Sequence, residues 1–323
     1  MNSNSANPAC PIPLWAFFLF FLLIEFTAWV ALTRFGVARQ WWSDKTGGLL
    51  LLSLPFVIRL LVTTGSYAMS RLRGMSIKAH QSLSVAQWLR FFCTEYFHLC
   101  SVSLLYIPFD PLFRTASERA THNATKLKPG EVIVLQHGYT NGGAVWHSTA
   151  KALERSGYRV FAISQPWFQS IDGMAERLHD RIERVVALTG ATQVTLVAHS
   201  MGGLISRAYL RRYGNTRVTR LITLGTPHHG THHAALALGT NGAQMRPGNA
   251  WLTELNKTPV TVPFTSIYSV HDTIISPQDS SAMTEATNLE LHGIGHVAMP
   301  SGRATRAHLL QILQRSSVAQ RID

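Results

Sequence analysis

The segment from Gln193 to Tyr213 constrains the fold of this 323-residue chain more than any other. Gln193-Val194-Thr195-Leu196-Val197 is a short β-branched apolar run, which reads as a strand, and Leu204 to Tyr213 has helical spacing. Only Ala198-His199-Ser200-Met201-Gly202 lies between them, so the chain must turn sharply from strand into helix. Small residues are needed where backbone meets backbone, and Ala198 and Gly202 supply them, with His199 inside the turn. Such a turn leaves Ser200 strained and exposed at the carboxyl end of a sheet. A lone pentapeptide of this kind also arises by chance, with the serine as an ordinary helix N-cap.

A serine becomes a nucleophile when a histidine takes its proton and a carboxylate holds that histidine. Two later strands end in such residues. Phe264 to Ser269 reads as a strand that leads through Val270-His271 to Asp272, and Asn288 to His292 reads as the final strand, followed by Gly293-Ile294-Gly295-His296. Asp279 is further from its strand, Glu285 and Glu290 fall in a helix-like stretch and in the strand, and His292 and His308 read as surface or packing residues. The strand Glu131 to Gln136 opens the region and runs into His137-Gly138-Tyr139. The N–H groups of Tyr139 and Met201 are the expected oxyanion donors, and His137 and Gly138 shape the loop. Four histidines, His228, His229, His232 and His233, lie within six residues, but no carboxylate or cysteine completes a metal set, and neither metal nor cofactor is expected.

The amino-terminal third has another character. Ile12 to Thr33 is apolar apart from Glu25, long enough for a span of about 20 residues, and has no Lys or Arg before it as a signal peptide would. Gly47 to Thr64 is a second span candidate, with Arg59 near its end placed to snorkel to headgroups, and Glu25 is expected to turn toward this second helix or to stay protonated. Val85 to Phe109 mixes aromatic and charged residues as an interfacial helix does. The composition changes at Leu127-Lys128-Pro129-Gly130, giving a membrane segment over 1–128 and a catalytic domain over 129–323. All three cysteines lie before that boundary, so the catalytic part has no disulfide of its own. The net charge of +12 is spread over both parts, with no nucleic-acid-binding signature, and suits attraction to anionic headgroups. A bacterial inner membrane is the expected location; basic residues lean only slightly toward a cytoplasmic catalytic domain.

Four segments then carry a resemblance: HGYTNGG at His137, VAHSMGG at Val197, TLGTPHHGT at Thr223, and TSIYSVHDTI with LHGIGHVAM ending at Met299. Together they resemble the bacterial lipase family of α/β-hydrolases, in particular the triacylglycerol lipase-like members whose elbow begins with Ala. The resemblance implies an α/β-hydrolase fold, a mostly parallel doubly wound sheet, with Ser200, Asp272 and His296 as triad and Tyr139 and Met201 as oxyanion donors. Its first 128 residues lie outside the resemblance, and those lipases are typically secreted, whereas this chain keeps its apolar segments. Strands are expected near 131–136, 158–163, 193–198, 217–224, 263–269 and 288–292, with helices near 145–157, 172–189, 201–213 and 301–315. Pro166 to Ile171, including Trp167 and Phe168, and Ala234 to Trp251 are apolar enough to line an acyl pocket or form a lid, or to be plain core. A membrane-held esterase acting on lipid or acyl esters is the expectation; a thioesterase or acyltransferase on the same residues, and a non-catalytic interaction module, are the alternatives.

Overall fold

The computed structural model describes residues 14–75, 81–120, 131–166 and 169–319. Within them six strands form one sheet: β1 (Val132–Gln136), β2 (Arg159–Ile163), β3 (Val194–His199), β4 (Val218–Leu224), β5 (Phe264–Ser269) and β6 (Thr287–Leu291). Their spatial order is β2-β1-β3-β4-β5-β6, and every neighbouring pair is parallel. Each strand begins and ends within one residue of the sequence expectation. Four helices come before the sheet: α1 (Leu14–Ala38), α2 (Asp44–Arg73), α3 (Val85–Ser101) and α4 (Ala116–Ala120). Six more are interleaved with the strands or follow them: α5 (His147–Arg155), α6 (Ile171–Thr189), α7 (Met201–Tyr213), α8 (Gly239–Gln244), α9 (Ala250–Leu255) and α10 (Arg303–Ala319).

Parallel strands need crossovers, and crossovers cover both faces of the sheet, so its central strands must be apolar on both sides. In β1 alternate side chains go to opposite faces: Val132 and Val134 join a core with Leu178 and Ile182 of α6 and Leu204 of α7, while Ile133 and Leu135 join one with Trp146, Leu153 of α5 and Leu309 and Leu313 of α10. The free edge at β2 is blunted by side chains. Thr115 Oγ1 donates to the Val160 carbonyl at 2.6 Å, and Ser117 Oγ accepts from the Val160 N–H at 3.0 Å. Asp110 likewise accepts from the Ala144 N–H and the Ser164 hydroxyl, both at 2.6 Å. The expected boundary at 127–130 is outside the described residues, and these bonds join the chain before it to the sheet after it.

α1 and α2 form a hairpin, with Trp42 Nε1 donating to the Thr33 carbonyl at 3.1 Å and Ser43 capping α2. Both are long and apolar enough to cross a membrane, and Phe20, Leu23, Leu52 and Leu61 face outward. Glu25 does turn toward the second helix. Arg59 does not snorkel as expected: it is buried, its guanidinium pairs with both Glu25 oxygens, and its Nε donates to Ser103 Oγ at 3.2 Å. An apolar setting favours that pair over a lone charge carried to the surface. α3 begins at a capping box on Ser84 and is followed by a π-helical turn, Val102–Tyr106. It is two-sided: Val85, Leu89 and Phe97 are exposed, whereas Phe91, Glu95 and Cys100 are buried.

Candidate active site

β3 stops at His199 and α7 starts at Met201, so Ser200 alone makes the turn, at φ 56° and ψ −132°. A side chain with a Cβ is held in that region only where its surroundings leave no alternative. The backbone around it is packed to that point. A Cβ on Gly138 would lie 2.5 Å from Ser200 Cβ, and one on Gly202 would lie 2.6 Å from the Gln136 carbonyl oxygen. Ala198 is fully buried, and Thr226 Oγ1 donates to the Ser200 carbonyl at 2.9 Å.

The loops after β5 and β6 bring the other two residues in. His296 Nε2 lies 3.0 Å from Ser200 Oγ, and His296 Nδ1 lies 2.9 Å from Asp272 Oδ2. Asp272 Oδ1 accepts from the N–H groups of Ile274 and Ile275, at 2.8 and 2.7 Å, so its carboxylate is fixed at both oxygens. All three side chains are buried, so Ser200 is strained as expected but not exposed: the loops that carry Asp272 and His296 close over the turn. Burial works against the imidazolium of His296, but the Asp272 carboxylate, by charge and hydrogen bond, outweighs it with help from Glu95, and the His296 pKa lies above the ordinary value. An imidazole set between a hydroxyl and a carboxylate in this way can take the hydroxyl proton and keep the resulting charge.

His199 packs against His296, ring centroids 4.6 Å apart, with its Nε2 3.1 Å from the His296 carbonyl. Burial, and then the neighbouring His296, hold it well below the ordinary imidazole pKa, so it is a neutral wall. His137 has both ring nitrogens engaged: Nε2 accepts from the Gln165 N–H at 2.9 Å and Nδ1 is 2.8 Å from the Gly138 carbonyl, which fixes the loop. Met201 opens α7, so its N–H has no carbonyl one turn back. Tyr139 follows the glycine that abuts Ser200, and its phenol bridges the Leu238 N–H and carbonyl, each at 2.8 Å.

Asp279, Glu285 and His292 are exposed, and His308 lies half-buried in α10, none of them at the serine. The four clustered histidines diverge. His228 is buried beside Thr223 and Arg207, His229 is 3.2 Å from the Ser280 carbonyl, and His233 is 3.0 Å from Ser276 Oγ. Among the described residues no group of three His, Cys, Asp or Glu is arranged to hold a metal ion. Of the expected pocket stretches, Trp167 and Phe168 are outside the described residues. Ala234 and Met245 belong to the core, Trp251 donates to Asp172 at 2.5 Å, and Leu236 and Leu238 are exposed.

Sequence reasoning did not find the contacts that the first helices make here. Ser70 of α2 donates to the Asp272 carbonyl at 2.6 Å, and Gln278 Nε2 donates to Ser70 Oγ at 2.8 Å. Glu95 of α3 enters from another side. Its one local signal was a carboxylate four residues after Phe91 on an otherwise apolar helix face.

The family model for the α/β hydrolase fold matches residues 131–241. A triacylglycerol lipase of Pseudarthrobacter phenanthrenivorans is 35% identical over 111 residues, covering 32% of this chain and 34% of that protein. A triacylglycerol lipase of Burkholderia plantarii is also 35% identical over 111 residues, covering 32% and 31%. The chain thus spans about a third of the length of these curated relatives. Among solved structures, Aspergillus fumigatus lipase B superposes with a TM-score of 0.56 at 14% identity, over 86% of this chain and 83% of that one. The mature form of Bacillus licheniformis lipase BlEst2 gives 0.52 at 19% identity, over 58% and 93%. With the sheet order above, these likenesses show the α/β-hydrolase fold.

Proposed function

We propose that this chain is a membrane-held serine carboxylester hydrolase of the lipase and esterase type, acting on acyl esters of lipids. The observation that carries the reading is the hydrogen-bonded series Ser200–His296–Asp272 on a strained turn at the carboxyl end of β3. His296 Nε2 takes the Ser200 proton as the oxygen attacks the ester carbonyl, and Asp272 keeps the Nδ1–H tautomer and steadies the imidazolium. The N–H groups of Met201 and Tyr139 receive the oxyanion. His296 then protonates the leaving alcohol, and water repeats the sequence on the acyl-enzyme.

The lipase names of the relatives at 35% identity support an ester substrate. Leu238, exposed beside the Tyr139 phenol, supports an apolar acyl group over a polar one. The outward apolar faces of α1 and α2 support a bilayer as the setting. The deciding experiment uses the full-length protein in detergent with a fluorophosphonate probe and a panel of p-nitrophenyl esters, acyl-CoAs and phospholipids. Labelling at Ser200 with turnover of carboxylic esters is expected. Faster turnover of acyl-CoAs would make it a thioesterase instead, and absence of labelling in folded protein would remove the enzyme reading altogether.

A further inference from the structure

Among the described residues only two carboxylates are buried, and the mechanism uses one of them, Asp272. The other is Glu95, 2% exposed, on a helix that lies 202 residues before the loop it touches. Its Oε1 accepts from Thr273 Oγ1 at 2.6 Å and from the Val297 N–H at 2.9 Å, and its Oε2 accepts from the Ala298 N–H at 2.9 Å. Thr273 follows Asp272 in the chain, and Val297 follows His296. Thr273 Oγ1 also lies 3.4 Å from the His296 N–H. One side chain therefore ties together the loop that carries the acid and the loop that carries the base. Room for it is kept at Gly295, where a Cβ would stand 2.3 Å from the Glu95 carboxyl carbon.

Burial raises the Glu95 pKa above the ordinary carboxylate value, and its three partners, all donors, together with His296 oppose that rise and favour the ionised form. We infer that Glu95 is a positioning residue of the active site: α3 sets the separation of Asp272 and His296 through it and places a second negative charge behind the imidazole. The inference rests on the reading of Ser200, His296 and Asp272 as the reacting set. It makes the amino-terminal segment part of the catalytic unit as well as its anchor.

The charged and titratable groups facing His296 are Asp272 on the loop after β5, Glu95 on α3, His199 at the end of β3 and His233 on the turn after β4. Burial keeps both of those histidines below their ordinary pKa, so the two carboxylates set the local charge. The sign follows. Glu95 favours the imidazolium, so its neutralisation lets His296 stay an active base to lower pH.

The test is Glu95→Gln in the full-length protein, assayed with p-nitrophenyl butyrate. An amide keeps the volume but turns a donor toward one of the N–H groups. A fall in kcat of about 10- to 100-fold is expected, as for a small misplacement of reacting groups, with KM within about twofold on the same ground. The acid limb of the kcat/KM profile should move to lower pH, a change that a merely structural role would not produce. Thr273→Val is the second variant, and it decides the matter if the first does not fold. It removes the hydroxyl link and leaves the charge, so kcat should fall about 3- to 10-fold, the size of one ordinary hydrogen bond, with the acid limb unmoved. Folded Glu95→Gln with wild-type kcat and pH profile would overturn the inference, as would wild-type kcat in Thr273→Val where only that variant folds. A folded wild type that neither labels nor turns over any ester would overturn the proposed function and this inference with it.

Discussion

The sheet and the first two helices treat apolar side chains in opposite ways. All five residues of β1 are buried, whereas along α1 Phe20, Leu23 and Phe26 each keep about half or more of their surface open. A doubly covered sheet hides its apolar rows within the protein. On the proposed reading, a helix pair with apolar residues outside and the Glu25–Arg59 pair inside suits surroundings that are themselves apolar. The difference teaches that the proposed membrane setting would divide this chain between two solvents, with polar side chains, Ser70 on α2 and Glu95 on α3, binding the amino-terminal helices to the loop after β5.

The sharpest separation of the two regions comes from Ser200→Ala, which touches the sheet region alone. Turnover should fall on the order of 10⁶-fold, as in comparable serine hydrolases, while vesicle association stays as it was. Initial rates and flotation assays measure the two, and activity near wild type would sink the assignment. In the helices the largest effect belongs to Arg59→Ala, which strands Glu25 and should cost about 3–5 kcal/mol in detergent denaturation. Arg59→Met with Glu25→Leu should recover most of it, and a double variant as unstable as the single one would show that the pair is not what matters.

Leu196→Ala and Leu52→Ala test the contrast directly. The first opens a hole in the sheet core and should cost about 2–5 kcal/mol, and the second removes a side chain that is 71% exposed and should stay within about 0.5 kcal/mol in micelles. Equal losses would erase the distinction. pH tests the same contrast. Burial, with nearby positive groups, holds His199 and His228 well below the ordinary imidazole pKa in the folded protein. Stability from these two is present above the unfolded value of about 6.5 and is lost as pH falls below it. His296, with its raised pKa, works the other way and offsets part of the loss. α1 and α2 contain no histidine, so hydrogen exchange between pH 7.5 and 5 should quicken in the sheet and not in the hairpin, after correction for intrinsic rates.

What was legible in the sequence was local. The run before Ser200 showed strand, turn and helix together because small residues and a change of period coincide there, and Asp272 and His296 stood out because each follows a strand by a few residues. Glu95 and Ser70 gave no such sign, since their partners lie about 200 residues away and neither sits in a motif. Arg59 was misread because the apolar run was expected to end near Thr64, whereas α2 runs from Asp44 to Arg73 and leaves Arg59 at its middle, where packing brings Glu25 within reach. The compositional break at 127–130 reflects a real change in apolar content. It says nothing of Thr115 and Ser117, whose hydroxyls serve the edge of β2 through single side-chain bonds that composition does not register.

The three bonds that Glu95 accepts also set an order in time. A ribosome makes α2 and α3 well before it makes Val297 and Ala298, and domains emerging from synthesis fold from the amino terminus onward. Glu95 can gain its partners only once Thr273, Val297 and Ala298 have been added to the chain. On the proposed reading, hydrolytic activity waits for the loop after β6, which brings His296 and two of the partners of Glu95 together.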